Sequence, residues 1–183
     1  MRFADPKPHE RVAVVGIGAL GHLGIQYSKA AGFETIAVTH SKDKEELAYK
    51  LGADSVVADG KGLLEDQERG ADVILATSNS YKAIADSIKG LRPDGRLILM
   101  GASATNEPLT LSPELYVDFL FKRDRIIGST QNDREYLYEA LDYVAKGKVR
   151  VMTEIFPLEE ISNAYDKVAN RNVRFKAVIE PIK

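Results

Sequence analysis

Residues 11–24, RVAVVGIGALGHLG, pass from an apolar run through a glycine-rich turn into a helical pattern. The nearly unbroken apolar run over 11–16 is typical of a strand that is buried on both faces of a parallel sheet. Gly16, Gly18 and Gly21 match G-x-G-x-x-G, and a helix predicted over 19–31 opens inside the motif. This order predicts a phosphate-binding strand–turn–helix unit, and the alternative is a glycine-rich turn required only for packing.

Each glycine of the motif has a separate physical reason to be there. Gly16 permits the tight turn, and Gly18 has no side chain to keep a pyrophosphate from the backbone. Gly21 lets the helix pack closely on the strand. Free N–H groups and the positive end of the helix dipole then favour phosphate, so the motif indicates a dinucleotide site.

The rest of the chain alternates predicted strands and helices. Six strands alternating with helices predict an α/β fold, a doubly wound parallel Rossmann sheet. The predicted strands are 11–16, 34–39, 55–58, 71–77, 96–101 and 125–130. The predicted helices are 19–31, 41–51, 80–89, 114–123 and 133–147, with a polar stretch after 58 and a turn at 92–95.

Residues 151–183 are set apart from the alternating strands and helices before them, because they form a separate strand–helix–strand pattern. This segment either extends the sheet or belongs to another unit. We therefore divide the chain into a dinucleotide-binding domain over 1–150 and a C-terminal segment over 151–183. The apolar residues that this division leaves partly exposed are Ile155, Phe156, Ile161 and Val178.

The helix patterns also predict which faces are buried. In helix 19–31 the polar His22, Gln26 and Lys29 share the face opposite the apolar residues Leu20, Leu23, Tyr27 and Ala31. His22 lies close to the phosphates, faces another domain, or is a plain surface residue. Helix 114–123 is amphipathic and is predicted to pack on the core. Helix 133–147 carries Leu137, Leu141 and Val144 on one face.

Composition excludes several classes of function. The 183 residues carry 27 acidic and 25 basic side chains, without the basic excess of a general nucleic-acid binder. The absence of cysteine excludes disulfides and any cysteine-based metal site, and it fits the cytoplasm. No apolar stretch approaches the length of a membrane span, and the N-terminus lacks a signal-peptide pattern.

The end of the second strand favours NADP(H) over NAD(H). NAD-binding units place an acid there to bind the ribose 2′-hydroxyl, whereas this chain has Thr39, His40 and Ser41, followed by Lys42 and Lys44. Hydroxyl donors and positive charge suit a 2′-phosphate. Asp43 and the neighbouring glutamates at 45–46 temper that charge.

These residues together resemble the cofactor-binding domain of zinc-dependent medium-chain alcohol dehydrogenases, within the branch of cinnamyl alcohol dehydrogenases and NADPH-dependent aldehyde reductases. The similar stretches span nearly the whole chain in the family's order. They are VAVVGIGALGHLGIQYSKAAG at 12–32, LGAD at 51–54, ATSN at 76–79, GA at 101–102, IGST at 127–130 and NVRFKAVIE at 172–180.

The resemblance implies a set of site residues. The backbone at Gly18, Ala19, Leu20 and Gly21 would hold the pyrophosphate. The other implied contacts are Thr39, His40, Ser41 and Lys44 at the adenosine 2′-phosphate; Thr77, Ser78 and Asn79 at the adenosine-side ribose; Gly101, Ala102, Ser103, Ser129 and Thr130 at the nicotinamide; and Lys176 near the phosphates. Lys176 stands where the family often has arginine, so the charge is kept and the bidentate fork is lost.

The resemblance also implies what this chain lacks. Family members carry an N-terminal catalytic domain whose zinc is held by cysteine, histidine and glutamate. Here there is no cysteine, and His9, His22 and His40 lie far apart in sequence. We therefore expect a truncated form without the zinc domain, which binds cofactor without turnover. The family further implies a homodimer through the sheet edge near Pro108–Leu111, and a small alcohol or aldehyde substrate in the intact enzyme.

Three other functions fit part of the pattern. A stand-alone NADP(H)-binding regulatory module would need no active site. A zinc-independent quinone reductase relative would share this domain, although the turn GIGALGH at 16–22 favours the zinc branch. A Rossmann-like methyltransferase would want an acid where Thr39 stands.

Overall fold

A central parallel sheet organises the chain. The computed structural model describes residues 2–102, 107–130, 133–170 and 172–181. Six strands lie in the order β3-β2-β1-β4-β5-β6, and every neighbouring pair is parallel, which confirms the predicted doubly wound α/β sheet. The strands are β1 Arg11–Val15, β2 Glu34–Val38, β3 Ser55–Val57, β4 Ala71–Ala76, β5 Leu91–Leu99 and β6 Arg125–Gly128.

Helices cover both faces of this sheet. The described part of the chain contains the helices α1 Gly21–Ala30, α2 Glu45–Lys50, α3 Gly60–Glu65, α4 Tyr81–Ser87, α5 Pro113–Lys122, α6 Arg134–Ala145 and α7 Ile161–Ala169. On one face Leu63, Ile84 and Leu115, from α3, α4 and α5, pack on the sheet. On the other face Ile25 of α1 and Ala48 of α2 do so. Two apolar layers thus enclose the strands, as parallel sheets require.

No helix is predicted in the polar stretch after residue 58, but α3 begins there at Gly60. The Asp59 carboxylate caps this helix by accepting a hydrogen bond from the Gly62 amide at 2.8 Å. Leu63 is fully buried in the core. One cap and one buried side chain therefore stabilise a helix that its two glycines disfavour.

The turn predicted at 92–95 lies inside β5 as an irregularity. Ala71 pairs with Leu91 and Val73 with Arg96, so the register shifts across the four intervening residues. Asp94 has a φ of +64°, a left-handed conformation that is typical of turns. The chain therefore turns locally at these residues, while strand pairing resumes on both sides of them.

The C-terminal segment does not extend the main sheet. β7 Glu154–Pro157 and β8 Ala177–Glu180 pair with each other in parallel, and α7 lies between them in sequence. Phe156 is buried, contrary to the predicted exposure, whereas Ile155, Ile161 and Val178 are exposed. The boundary near residue 150 stays a prediction.

The edge of the sheet leaves much apolar surface uncovered. Leu115 of α5 is buried and Phe119 packs against the core, so the predicted core packing holds for that side of the helix, whereas four other apolar residues of α5 are exposed. β6 ends the sheet, and in the described part of the chain no further strand lies beyond it. The exposed apolar residues of α5 and α6 are Tyr116, Val117, Leu120, Phe121, Tyr136, Leu137, Tyr138 and Leu141.

The expectation of an edge strand near Pro108–Leu111 is also wrong. The segment 107–112 forms no strand, and Leu109 and Leu111 pack against the core instead. The edge strand is β6, Arg125–Gly128.

Candidate functional site

A cavity of about 910 Å³ opens at the carboxyl ends of β1, β4 and β5. The strand order reverses between β1 and β4, and in open α/β sheets ligands bind at this switch point. The cavity lining combines the glycine-rich turn with three later segments. It consists of Gly16, Ile17, Gly18, Ala19, Leu20, Asp43, Lys44, Leu47, Thr77, Ser78, Asn79, Met100, Gly101, Ala102, Val168, Asn172, Val173, Arg174 and Phe175.

The three motif glycines meet different surroundings. Gly16 has a φ of +89°, and a Cβ there would lie 3.1 Å from Ser78. A Cβ on Gly21 would lie 1.8 Å from the Gly16 carbonyl oxygen. A Cβ on Gly18 would meet nothing within 4 Å. The turn is therefore closed at Gly16 and Gly21 and open at Gly18, where a pyrophosphate has room to reach the backbone.

The N-terminus of α1 offers donors to such a ligand. The His22 amide donates to the Gly18 carbonyl at 3.1 Å. Leu20 makes no side-chain cap, and within the described residues the amides of Ala19, Leu20 and Gly21 have no acceptor. Unpaired amides at the positive end of a ten-residue helix suit an anion, so the turn fits the phosphates of a dinucleotide.

The end of β4 holds this turn in place. The Thr77 hydroxyl donates to the carbonyl oxygens of Val15 and Gly16, both at 2.9 Å. A Cβ on Gly101 would lie 2.1 Å from the Ser78 carbonyl oxygen, so the ends of β4 and β5 are in backbone contact. Thr77, Ser78 and Gly101 are thus packed around the glycine-rich turn and stiffen the cavity floor.

The buried face of α1 differs from the predicted one. His22 is fully buried and Gln26 is nearly so, whereas Lys29 of the same predicted polar face and the apolar Leu20 are exposed. The Gln26 side chain donates to the Arg150 carbonyl at 2.9 Å and accepts from the Arg150 amide at 2.8 Å. The polar face therefore binds the backbone that leads into β7, a partner that lies far along the chain.

His22 joins the glycine-rich turn to the C-terminal segment. Its Nδ1 lies 3.0 Å from the Gly18 carbonyl oxygen, and its Nε2 accepts from the Met152 amide at 3.3 Å. The ring also lies 4.4 Å from that of Phe175, which lines the cavity. Burial lowers the pKa of His22, which favours the neutral imidazole that these two bonds require.

The end of the cavity that is predicted to hold the adenosine places charged side chains close together. Asp43 and Lys44 line the cavity, and Arg174 joins them from the C-terminal segment. The Ser41 hydroxyl donates to Asp43 Oδ1 at 2.5 Å. This bond, together with the charges of Lys44 and Arg174, lowers the pKa of Asp43.

Some predicted contacts are not part of the cavity lining. Thr39, His40 and Ser41 do not line it, although the Ser41 hydroxyl donates to Asp43, which does. Lys176 is exposed and lines neither cavity described here, while its carbonyl accepts from the Glu154 amide at 2.8 Å. The roles of these four residues stay predictions.

The predicted nicotinamide end divides between two cavities. Gly101 and Ala102 line the first, and Ser103 lies outside the described residues. Ser129 and Thr130 line a second cavity of about 610 Å³, which shares Leu20 and Met100 with the first.

Sequence reasoning missed the wall formed by Asn172, Val173, Arg174 and Phe175. No motif marks these residues as ligand contacts, and the only signal is the resemblance of NVRFKAVIE at 172–180. From the sequence, Asp43 is expected only to reduce the positive charge of the neighbouring lysines, whereas in the structure it lines the cavity.

Neither a metal centre nor a membrane span accompanies this cavity in the ranges that the structure describes. Among those residues, no group of three histidines or acids could hold a metal ion. They also contain no helix that is long and apolar enough to cross a membrane.

Comparison with known proteins agrees with this geometry. The sequence profile of zinc-binding dehydrogenases matches residues 19–146. An alcohol dehydrogenase of Geobacillus stearothermophilus is 33% identical over 98% of this chain and 53% of its own length. The aldehyde reductase YahK of Escherichia coli (strain K12) is 32% identical over 98% of this chain and 51% of its own length.

A solved structure extends the match to three dimensions. The alcohol dehydrogenase of Aeropyrum pernix has a TM-score of 0.83 and 29% identity, over 97% of this chain and 52% of that one. The chain thus spans about half the length of the relatives it matches. It belongs to the zinc-binding dehydrogenase family and corresponds to the family's cofactor-binding domain.

Proposed function

We propose that this chain binds NADP(H) as the cofactor-binding part of an oxidoreductase acting in the cytoplasm. The intact enzyme would transfer a hydride between NADP(H) and a small alcohol or aldehyde. The observation that carries the proposal is the charge at the adenosine end. Lys44 and Arg174 line the cavity there, and Thr39 and His40 stand where NAD-binding units place an acid.

The chain's own contribution is to bind and orient the cofactor. The open space at Gly18 and the unpaired amides of Ala19, Leu20 and Gly21 would hold the pyrophosphate. The nicotinamide would then reach toward Ala102 and Ser129. When bound, the cofactor would supply the hydride as NADPH or accept it as NADP⁺. As the cofactor-binding part alone, this chain would bind cofactor without turnover.

Calorimetric titration with NADPH and NADH tests the cofactor preference. We expect NADPH to bind more tightly, and Thr39→Asp to weaken NADPH about tenfold or more because a carboxylate at the end of β2 repels the 2′-phosphate. Thr39→Ser keeps the hydroxyl and serves as the control, with both affinities within about twofold of the unchanged chain. Tighter NADH binding by the unchanged chain would contradict the proposal.

We also propose that the chain forms a homodimer through the sheet edge. Support comes from β6, whose outer edge pairs with no strand of the described chain, and from the adjacent apolar face of α5. Exposed edges and apolar faces of this kind favour pairing with another copy. Phe121, the most exposed large apolar residue of α5 at 77%, lies on this face.

Sedimentation velocity tests the dimer. We expect a dimer for the unchanged chain and a monomer for Phe121→Glu, because a charge would be buried in the interface. Tyr165→Glu is the matched control on α7, where the side chain is 73% exposed, and it should leave the dimer intact. A monomer of the unchanged chain at all concentrations would refute this arrangement.

A further inference from the structure

Three charged side chains meet at the adenosine end of the cavity, and one of them is an acid. Asp43 and Lys44 are neighbours in the chain, and Arg174 comes from the loop before β8. Asp43 is exposed to solvent, and its carboxylate accepts the Ser41 hydroxyl at 2.5 Å. The positive charges of Lys44 and Arg174 both stabilise this carboxylate. Asp43 is therefore an anion that one hydroxyl bonds directly and that two nearby cations stabilise through their charge.

A hydroxyl donor and two cations are also the partners that a phosphate monoester on a sugar requires. In the described part of the chain, neither Lys44 nor Arg174 makes an ion pair within 4.0 Å. Both cations are thus available to an incoming anion. The one hydroxyl bond to Asp43 would have to break or be shared when that anion arrives.

We propose that Asp43 is an internal counter-ion that competes with the 2′-phosphate of the cofactor and so sets the preference between phosphorylated and unphosphorylated adenosines. This rests on the proposed function, in which the adenosine end of NADP(H) lies beside Lys44. A 2′-phosphate entering the cavity meets the repulsion of Asp43 and competes with it for Ser41, Lys44 and Arg174. A 2′-hydroxyl carries no charge and meets neither effect.

Removal of the negative charge of Asp43 should therefore raise the affinity for ligands with a 2′-phosphate and leave the affinity for other adenosines unchanged. Titrations with adenosine 2′,5′-bisphosphate and with 5′-AMP isolate the adenosine end from the nicotinamide. We expect Asp43→Asn to tighten the bisphosphate about fivefold at low salt and to leave 5′-AMP within about twofold. Asp43→Ala also frees the Ser41 hydroxyl and should tighten the bisphosphate at least as much. The gain should shrink at high salt.

A matched control separates this effect from the net charge of the chain. Glu46→Gln removes one negative charge from α2, where Glu46 pairs with Lys50 at 2.6 Å, and it should leave both affinities within about twofold. An unchanged or weaker bisphosphate affinity in both Asp43 variants would overturn the proposal. So would a loss of 5′-AMP binding, because Asp43 would then be a ligand of the ribose hydroxyls. Preference of the unchanged chain for NADH contradicts the proposed function but not the expected gain in the variants.

Discussion

Gly18→Asp is expected to weaken NADPH binding at least about 100-fold, or about 2.7 kcal/mol, without loss of stability. The space beside Gly18 is open, because a Cβ on this residue would meet no atom within 4 Å, so the fold accepts a side chain there. Its φ is not in the positive range, so a side chain adds no backbone strain. A carboxylate in that space would occupy the approach of the pyrophosphate and repel it.

The comparison of two variants separates charge from bulk. Gly18→Asn has the shape of aspartate without its charge and should cost about tenfold in affinity, so the remaining tenfold in Gly18→Asp reports the charge. Thermal unfolding should place both variants within about 1 kcal/mol of the unchanged chain. Affinity of Gly18→Asp within about threefold of the unchanged chain would show that the phosphates bind elsewhere in the cavity.

Gly21→Ala is expected to destabilise the chain by about 3 kcal/mol or more. A Cβ at this position lies 1.8 Å from the Gly16 carbonyl oxygen and 2.9 Å from Thr77 Oγ1. Both atoms are fixed, since the Thr77 hydroxyl donates to that same carbonyl. Backbone must therefore move, which puts the cost at the upper end of overpacking and exceeds the gain of about 1 kcal/mol in helix propensity. Denaturant unfolding measures the difference.

Gly24→Ala is the control within the same helix. Its Cβ would lie 3.3 Å from Cγ1 of Val14, which is mild crowding compared with the 1.8 Å contact at Gly21. We expect its stability to stay within about 1 kcal/mol of the unchanged chain, since helix propensity offsets the crowding. Equal stability of Gly21→Ala and the unchanged chain would mean that α1 and the glycine-rich turn are not in contact in solution.

The local sequence pattern was sufficient to predict the sheet and the position of its ligand cavity. The apolar run before Gly16 and the glycine spacing after it are short-range features, and both fall where the strand order reverses. Asp59 and Leu63 show where local pattern failed. A cap and one buried leucine stabilise α3 although glycines stand at 60 and 62, and neither contribution changes the apolar periodicity.

Distant partners account for the other errors. His22 and Gln26 look like an exposed polar face, because the backbone that satisfies them lies about 130 residues later. The α5 pattern is amphipathic, but the sheet ends at β6, so most of its apolar face has nothing in the described part of this chain to cover it. Arg174 carries no local sign of its place in the cavity, since its position follows from how the loop before β8 meets the glycine-rich turn.

The wall formed by Asn172, Val173, Arg174 and Phe175 has a consequence for synthesis. The glycine-rich turn leaves the ribosome first, whereas this wall is translated about 150 residues later, at speeds that correspond to many seconds. During that interval the nascent chain can fold its first strands but cannot complete the cavity or the contact between His22 and Phe175. The cavity is therefore completed late in synthesis, and a ligand that needs Arg174 or Phe175 can bind only after these residues have been translated.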